Sequence, residues 1–314
     1  MSLRVLISCP HLQKTIHHYT DLFAGHGIEI ELPPMIQQLT EPELLEMIDR
    51  FDGVIAGDDH FTSKVLGKGV RLKVIAKWGI GLDAIDLEAA KKRGIKIFNT
   101  PDVFADEVAD VVMGYLILLS RRLHKLNESV RNGGWLQIQG RSLRGRSLGI
   151  IGMGSIGKAV VSRARASGME VAGYDIKEIS ADFIEKTGLQ PLRLDDLVRT
   201  SDFISLNCNL TKDNHHLLGV REFEMMNEGV SIVNTSRGPL IDETALLNSL
   251  TSGKVAGAAL DVFEKEPLPA DSPLRKFENC IFGTHNGSNT LEAVMRVNQM
   301  AIQNLFKGLG ISNI

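Results

Sequence analysis

Between Ser147 and Asp175 the chain carries a pattern that few folds can satisfy. A short apolar run, Leu148 to Ile151, leads into Gly152-Met-Gly154-Ser155-Ile156-Gly157. An apolar-periodic stretch to Gly168 follows, and then Glu-Val-Ala-Gly-Tyr and Asp175. Strand, glycine turn, helix and second strand make a βαβ unit of the kind that binds a dinucleotide. Each glycine has its own task. Gly152 permits the tight turn, Gly154 lets the backbone approach a pyrophosphate, and Gly157 lets the helix lie close on the strand. The helix N-terminus offers unpaired N–H groups and a positive dipole end to the phosphates. Asp175 ends the second strand, where a carboxylate accepts from both ribose hydroxyls and repels a 2′-phosphate. NAD is therefore expected in preference to NADP. A glycine turn alone says little; this one has its strand, helix and acid around it.

The bulk numbers agree with an α/β protein. The chain has 314 residues, room for one large domain or two ordinary ones. A hydrophobic content of 43% and a charged content of 23% are those of a soluble globular protein. Thirty glycines and only 5% aromatic residues suit many tight strand-to-helix turns. A net charge of −3 argues against a nucleic-acid partner or an anionic membrane surface. Cys9, Cys208 and Cys280 are far apart and show no ligand spacing, so neither a disulfide framework nor a metal site is expected. Free cysteines fit a reducing cytoplasm. No signal-peptide pattern opens the chain, and the longest apolar run, Val111 to Leu119, is too short to span a bilayer.

Strands and helices alternate from the start. Leu3–Ser8, Ile28–Leu32, Gly53–Gly57, Leu72–Ala76 and Lys96–Phe98 read as strands. Helices are expected from Pro10 to about Gly25, Thr40 to about Phe51, onward from Thr62, and from Asp86 to Arg93. Such spacing implies a parallel sheet covered on both faces, here without a glycine-rich phosphate loop after its first strand. Pro101 punctuates the chain, and a long helix is expected from about Val103 to Leu126. Its apolar positions crowd more than one face, as in a helix buried in a core or in a subunit interface. After Asp175, strands at Phe203–Cys208, Val230–Asn234, Ala256–Leu260 and Cys280–Gly283 complete a doubly wound sheet of about six strands. Helices at Val220–Asn227 and Glu243–Ser252 lie between them, and a last helix runs from Leu291 to about Leu309.

Three residues in this second half suggest chemistry. Arg237, in Asn234-Thr235-Ser236-Arg237-Gly, follows the carboxyl end of a buried strand, the edge where open parallel sheets bind ligands. A planar guanidinium there holds a carboxylate through parallel hydrogen bonds. By position alone it is equally a surface arginine paired to an acid such as Asp242. Asp261 ends the next strand, and Glu266 lies in the Pro-flanked loop after it. His285 ends the strand after that. Together they make a dehydrogenase site: His285 passes the proton while a nicotinamide passes the hydride, Glu266 fixes the imidazole tautomer, and Arg237 orients a substrate carboxylate.

The glycine turn, Asn234-Thr-Ser-Arg-Gly, Asp261-Val-Phe-Glu-x-Glu266-Pro and the Thr-His285 turn resemble the D-isomer-specific 2-hydroxyacid dehydrogenase family, in its phosphoglycerate dehydrogenase-like branch. The likeness spans essentially the whole chain. It implies a Rossmann-type doubly wound sheet, residues 100–287, inserted into a smaller flavodoxin-like α/β substrate domain made of residues 1–99 and 288–314. Arg237, Glu266 and His285 would be the catalytic set. Gly152, Gly154, Ser155, Ile156, Gly157 and Asp175 would hold the pyrophosphate and adenosine ribose, with Cys208 and Asn209 on the adenine side. Thr235, Ser236, Arg237, Asp261, His285, Gly287 and Ser288 would lie near the nicotinamide. Lys77-Trp-Gly79-Ile80-Gly81-Leu-Asp83 resembles the family's substrate loop, in which the backbone N–H groups of Ile80 and Gly81 bind the substrate carboxylate beside Lys77. The resemblance also implies a homodimer built around the long helix, a hinge that closes the cleft, and a small 2-hydroxy or 2-oxo acid as substrate.

Departures from the family pattern bear on the substrate. Proline is common where Asn209 and Thr284 stand. Phosphoglycerate dehydrogenases meet the substrate phosphate with an arginine shortly after the strand Gly53–Gly57, whereas this chain reads Gly57-Asp58-Asp59-His60. Carboxylates there would repel a phosphate monoester, so D-3-phosphoglycerate stands beside glyoxylate, hydroxypyruvate and bulkier hydroxy acids. No regulatory domain is expected after the last helix, nor feedback through one. Relatives of the family also include NAD(H)-sensing corepressors, so a binding protein of that kind is the alternative of another class.

Overall fold

Short β-branched runs bounded by turns pair in parallel, which buries both faces of each strand. In the computed structural model, which describes residues 2–311, they form two wholly parallel sheets. The chain divides into two units. One comprises Met1–Val103 with Asn289–Ile314, and the other Phe104–Ser288.

The first unit holds β1 (Leu3–Ser8), β2 (Ile28–Glu31), β3 (Gly53–Ala56), β4 (Val74–Lys77) and β5 (Lys96–Phe98), in the order β2-β1-β3-β4-β5. That is the flavodoxin-like order. The terminal helix Leu291–Leu309 packs across β3, β4 and β5. Its buried face includes Val297, Ala301, Leu305 and Phe306. Gly308 lets the helix lie this close, because a Cβ on it would strike Val74, while a Cβ on Gly53 would push aside the end of Leu305. Trp78 Nε1 donates to Asn298 Oδ1 at 2.7 Å, and Asn298 Nδ2 donates to Thr15 at 2.9 Å. Those bonds tie the end of the chain to its beginning.

The second unit holds β6 (Ser147–Ile151), β7 (Glu170–Tyr174), β8 (Gln190–Pro191), β9 (Phe203–Leu206), β10 (Val230–Asn234), β11 (Val255–Leu260) and β12 (Cys280–Phe282). Their order is β12-β11-β10-β9-β6-β7-β8, so the winding direction reverses between β6 and β9. The seventh strand escapes sequence reading because β8 is two residues long and contains a proline. The long helix is also shorter than expected. It runs from Ala105 to Arg121, and Arg122 adopts a left-handed conformation (φ 50°) that separates it from a second helix, Leu123–Arg131. Val108, Ala109, Val112, Met113 and Leu116 line its buried face. Arg163 on the helix Ser155–Ala166 reaches Asp106 at 2.9 Å and Asp110 at 2.6 Å, locking the two helices together. Likewise the expected helix from Pro10 is two helices, Pro10–Thr15 and Thr20–Gly25, joined by a 3₁₀ turn.

The turn after β3 does not present two carboxylates side by side. Asp59 is buried and accepts from Ser8 Oγ, from Leu39 N–H at 2.7 Å and from Gly57 N–H at 3.1 Å. It is an internal brace at the β1/β3 crossing point. Asp58 is half-buried, and the Lys77 ammonium donates to it at 3.1 Å and to the Trp78 carbonyl at 2.9 Å.

Burial pushes the Asp59 carboxyl up to about 6, although the Ser8 hydroxyl, Leu39 N–H and Lys77 pull it down. An acid raised in the folded state stabilises the fold fully only below its unfolded value, and that contribution is lost as pH rises through the folded one. The stability difference between the wild type and Asp59→Asn should therefore be larger at about pH 4 than at about pH 7 in urea titrations. A difference that grows toward neutral pH would show that the carboxylate is favoured by its partners over its burial.

Candidate active site

The glycine turn sits where the winding reverses, the crevice at which doubly wound sheets bind ligands. Gly152 follows β6 with φ 97°, and a Cβ on it would lie 2.5 Å from the Cys208 N–H nitrogen after β9. A Cβ on Gly157 would strike the Gly152 carbonyl. Gly154 is different: no atom lies within 4 Å of its missing Cβ, so the space over the helix N-terminus is open. Ser155 and Ile156 begin that helix, and no side chain caps it. Just past β7, Asp175 accepts from Met153 N–H at 2.7 Å and Lys177 N–H at 2.9 Å, one bond to each oxygen. Each oxygen keeps a lone pair for a hydroxyl. Cys208 is half-buried after β9, with its thiol pushed up to about 11 by burial. Asn209 follows it and accepts from Asn214 Nδ2 at 2.8 Å.

Two buried polar atoms at neighbouring strand ends have no protein partner, Asn207 Oδ1 after β9 and Thr235 Oγ1 after β10. Buried polar atoms are almost always bonded, so this pair marks ground shaped for a polar ligand. Open helix N-terminus, ribose-height carboxylate and two orphaned oxygens together fit NAD.

The next groups leave β10, β11 and β12 in turn. Asn234 Nδ2 donates to the Arg237 carbonyl at 2.9 Å and Asn234 Oδ1 accepts from Ser236 N–H at 3.0 Å, which fixes the turn bearing Arg237. The guanidinium donates to the Ser236 carbonyl at 2.8 Å. Gly238 lies so close to Phe263 and Glu264 that any Cβ would collide with their main chain. Glu266 spans two partners: Oε1 accepts from Phe263 N–H at 3.0 Å, and Oε2 meets His285 Nδ1 at 2.8 Å. The bond to the carboxylate fixes the ring by its Nδ1. His285 itself has φ 53°, an uncommon conformation for a residue with a Cβ. Asp261, buried at the end of β11, holds it there. Its carbonyl accepts from His285 N–H at 2.7 Å, and its carboxylate accepts from Asn286 N–H at 3.1 Å and Gly287 N–H at 2.7 Å. Ser288 closes that loop, half-buried.

Spacing foresees the joining of Glu266 to His285. It does not foresee Asn207, nor Tyr115, whose hydroxyl donates to Asp261 at 3.4 Å from the helix Ala105–Arg121. Tyr115 reads as one more apolar-face position. Lys77, Ile80 and Gly81 belong to the first unit, at the end of β4 and in the turn after it. Gly79 N–H donates to Thr100 Oγ1 at 2.9 Å, and Asn99 Nδ2 donates to the Ile80 carbonyl at 2.8 Å, so this turn is anchored at both ends. Lys77 is almost wholly buried, with its ammonium engaged by Asp58 and the Trp78 carbonyl.

A doubly wound sheet with a dinucleotide turn and an imidazole–carboxylate pair at its ligand edge defines an NAD-dependent oxidoreductase. Residues 113–287 match the family model for the D-isomer specific 2-hydroxyacid dehydrogenase NAD binding domain. The hydroxypyruvate reductase of Thermotoga maritima is 39% identical over 287 residues, 90% of this chain and 92% of that protein. The D-3-phosphoglycerate dehydrogenase of Archaeoglobus fulgidus is 32% identical over 317 residues, 99% of this chain and 59% of that protein. Among solved structures, the D-lactate dehydrogenase of Aquifex aeolicus in complex with NAD and lactic acid superposes with a TM-score of 0.87 at 26% identity, covering 98% of this chain and 95% of that one. The chain belongs to the D-isomer specific 2-hydroxyacid dehydrogenase family. It is an enzyme acting on the CH–OH group of donors with NAD as cofactor. Among the described residues no helix is long and apolar enough to cross a membrane.

Proposed function

We propose that this enzyme interconverts small 2-hydroxy and 2-oxo acids with a short polar tail, hydroxypyruvate foremost, and that Arg237, Glu266 and His285 carry the reaction. The Glu266–His285 pair is the observation that carries the reading. A carboxylate on Nδ1 holds the imidazole in one orientation, in which Nε2 would exchange a proton with the carbonyl oxygen of a 2-oxo acid. Bound NADH supplies the hydride. Arg237 would hold the substrate carboxylate. The open end of the helix at Gly154, Ser155 and Ile156 would take the pyrophosphate, and Asp175 the ribose. Thr235 and Asn207 would satisfy their orphaned oxygens on the bound cofactor.

The tail preference follows from the turn after β3. It carries no arginine, and the nearby Lys77 is already neutralised by Asp58. A phosphate monoester would find one carboxylate and a spent cation there; a hydroxymethyl group would find an acceptor. Hydroxypyruvate is also the substrate named for the Thermotoga relative. Cytoplasmic residence fits three unpaired cysteines.

A homodimer is proposed as well. Ile117, Leu123, Val130, Trp135 and Leu136 are exposed large hydrophobics within one short stretch, and Trp135 is 81% exposed. Grouped apolar exposure of this kind marks an interface.

Three measurements test these readings. His285→Ala and Arg237→Ala should each lower kcat/KM for NADH-dependent reduction of hydroxypyruvate by about a hundredfold or more while NADH still binds. Near-normal rates in either would dismiss the assigned role, and a wild-type kcat/KM higher for 3-phosphohydroxypyruvate than for hydroxypyruvate would dismiss the tail argument. Asp175→Ala should narrow the preference for NADH over NADPH; an unchanged ratio would place ribose recognition elsewhere. By light scattering the wild type should have twice the chain mass, and Val130→Glu with Trp135→Glu should halve it. A monomeric wild type at micromolar concentration would refute the dimer.

A further inference from the structure

The loop bearing Glu266 is held from outside by a residue to which the chemistry above gives no part. His216 lies between β9 and the helix Val220–Met225, in a left-handed backbone conformation (φ 55°). Residues with a Cβ rarely accept that conformation, and they cluster at functional sites where surrounding bonds enforce it. The bonds are visible here. His216 N–H donates to the Pro239 carbonyl at 2.8 Å, Leu218 N–H to Leu240 at 3.0 Å, and Asp242 N–H to Leu218 at 3.1 Å. The segment is thereby laced to the turn that follows Arg237.

The imidazole bonds to the other catalytic loop. Its Nε2 lies 2.8 Å from Glu264 Oε1, two residues before Glu266. Glu264 also exchanges bonds with Glu243: its Oε1 accepts from Glu243 N–H at 3.2 Å, and its own N–H donates to Glu243 Oε1 at 2.8 Å. His216 Nδ1 faces Asp242 Oδ2 at 3.9 Å, and the His215 ring stands beside it with centroids 4.0 Å apart. Two carboxylates, Asp242 and Glu264, thus flank one imidazole. Ligand atoms of His216, Asp242 and Glu264 come within 4.8 Å of one another, yet the two ring nitrogens meet different carboxylates, so the arrangement serves a clamp better than one metal ion.

We propose that His216 is a positioning residue for hydride transfer. By binding Glu264 it fixes residues 261–267 and hence the aim of Glu266 at His285. Through its main chain it sets the same loop in register with the turn bearing Arg237. An exposed pair of this kind adds little to stability, so its value is geometric. The inference rests on the roles of Arg237, Glu266 and His285 proposed above.

The test compares His216→Ala with His216→Gln, which keeps a side-chain N–H donor, using hydroxypyruvate and glyoxylate as substrates and fluorescence titration of NADH sites. His216→Ala should lose about tenfold in kcat, since small misplacements of catalytic groups cost up to about a hundredfold. It should still bind one NADH per chain with wild-type affinity. His216→Gln should recover to within about threefold of wild type, because the donor to a charged acceptor is restored. A wild-type kcat in His216→Ala, a fall matched by equal loss of NADH sites, or a Gln variant no better than Ala would each overturn the proposal. His285→Ala, assayed alongside, separates the two levels. If it stays active the catalytic reading fails; if it is inactive while His216→Ala is normal, only the positioning role fails.

Discussion

One carboxylate sets the geometry of the turns that follow β10, β11 and β12. Glu266 spends one oxygen on the main chain of its own loop, at Phe263, and the other on His285 Nδ1. The first bond stops the side chain from swinging, and the second fixes the orientation of the imidazole ring. A charged acceptor makes both bonds stronger than neutral ones. Everything nearby keeps this pair in place: Asp261 gathers the three N–H groups from His285 to Gly287, and Gly238 lets the turn bearing Arg237 press against Phe263 without a side chain between.

Such precision is held against strain. His285 and His216 both sit at positive φ, and each such placement costs about 1–3 kcal/mol. The compensation is the set of main-chain bonds that over-determine each turn. The binding half of the same sheet uses glycine instead. Gly152 takes φ 97° without a Cβ penalty, and Gly157 lets its helix close on the carbonyl of Gly152. The division has a physical cause. A phosphate needs backbone and open space, which glycine supplies, whereas proton transfer needs a particular side chain at a particular turn, whatever its conformational cost.

Much of this was legible in the chain because it is local. The glycine turn, its helix and Asp175 lie within one βαβ unit, and parallel strands place Arg237, Glu266 and His285 on one edge of one sheet. What was not legible depends on pairings between distant segments. Asp59 reads as a surface carboxylate in its turn, yet Ser8 and Leu39 make it an internal brace. Tyr115 reads as an apolar position until Asp261 is found beside it. The break at Arg122 has no proline or glycine to announce it, and β8 is too short to show a period.

The state of Lys77 belongs to that second, non-local kind. A lysine next to a substrate turn reads as a cation ready for an anionic tail. Whether it attracts one depends on what already neutralises it. Here Asp58 meets Lys77 at 3.1 Å, with the ammonium almost wholly out of water. An ion pair in such surroundings presents far less field than a bare cation, and separating it would leave two charges poorly solvated. The aspartate that follows β3 thus leaves Lys77 with little bare charge to offer.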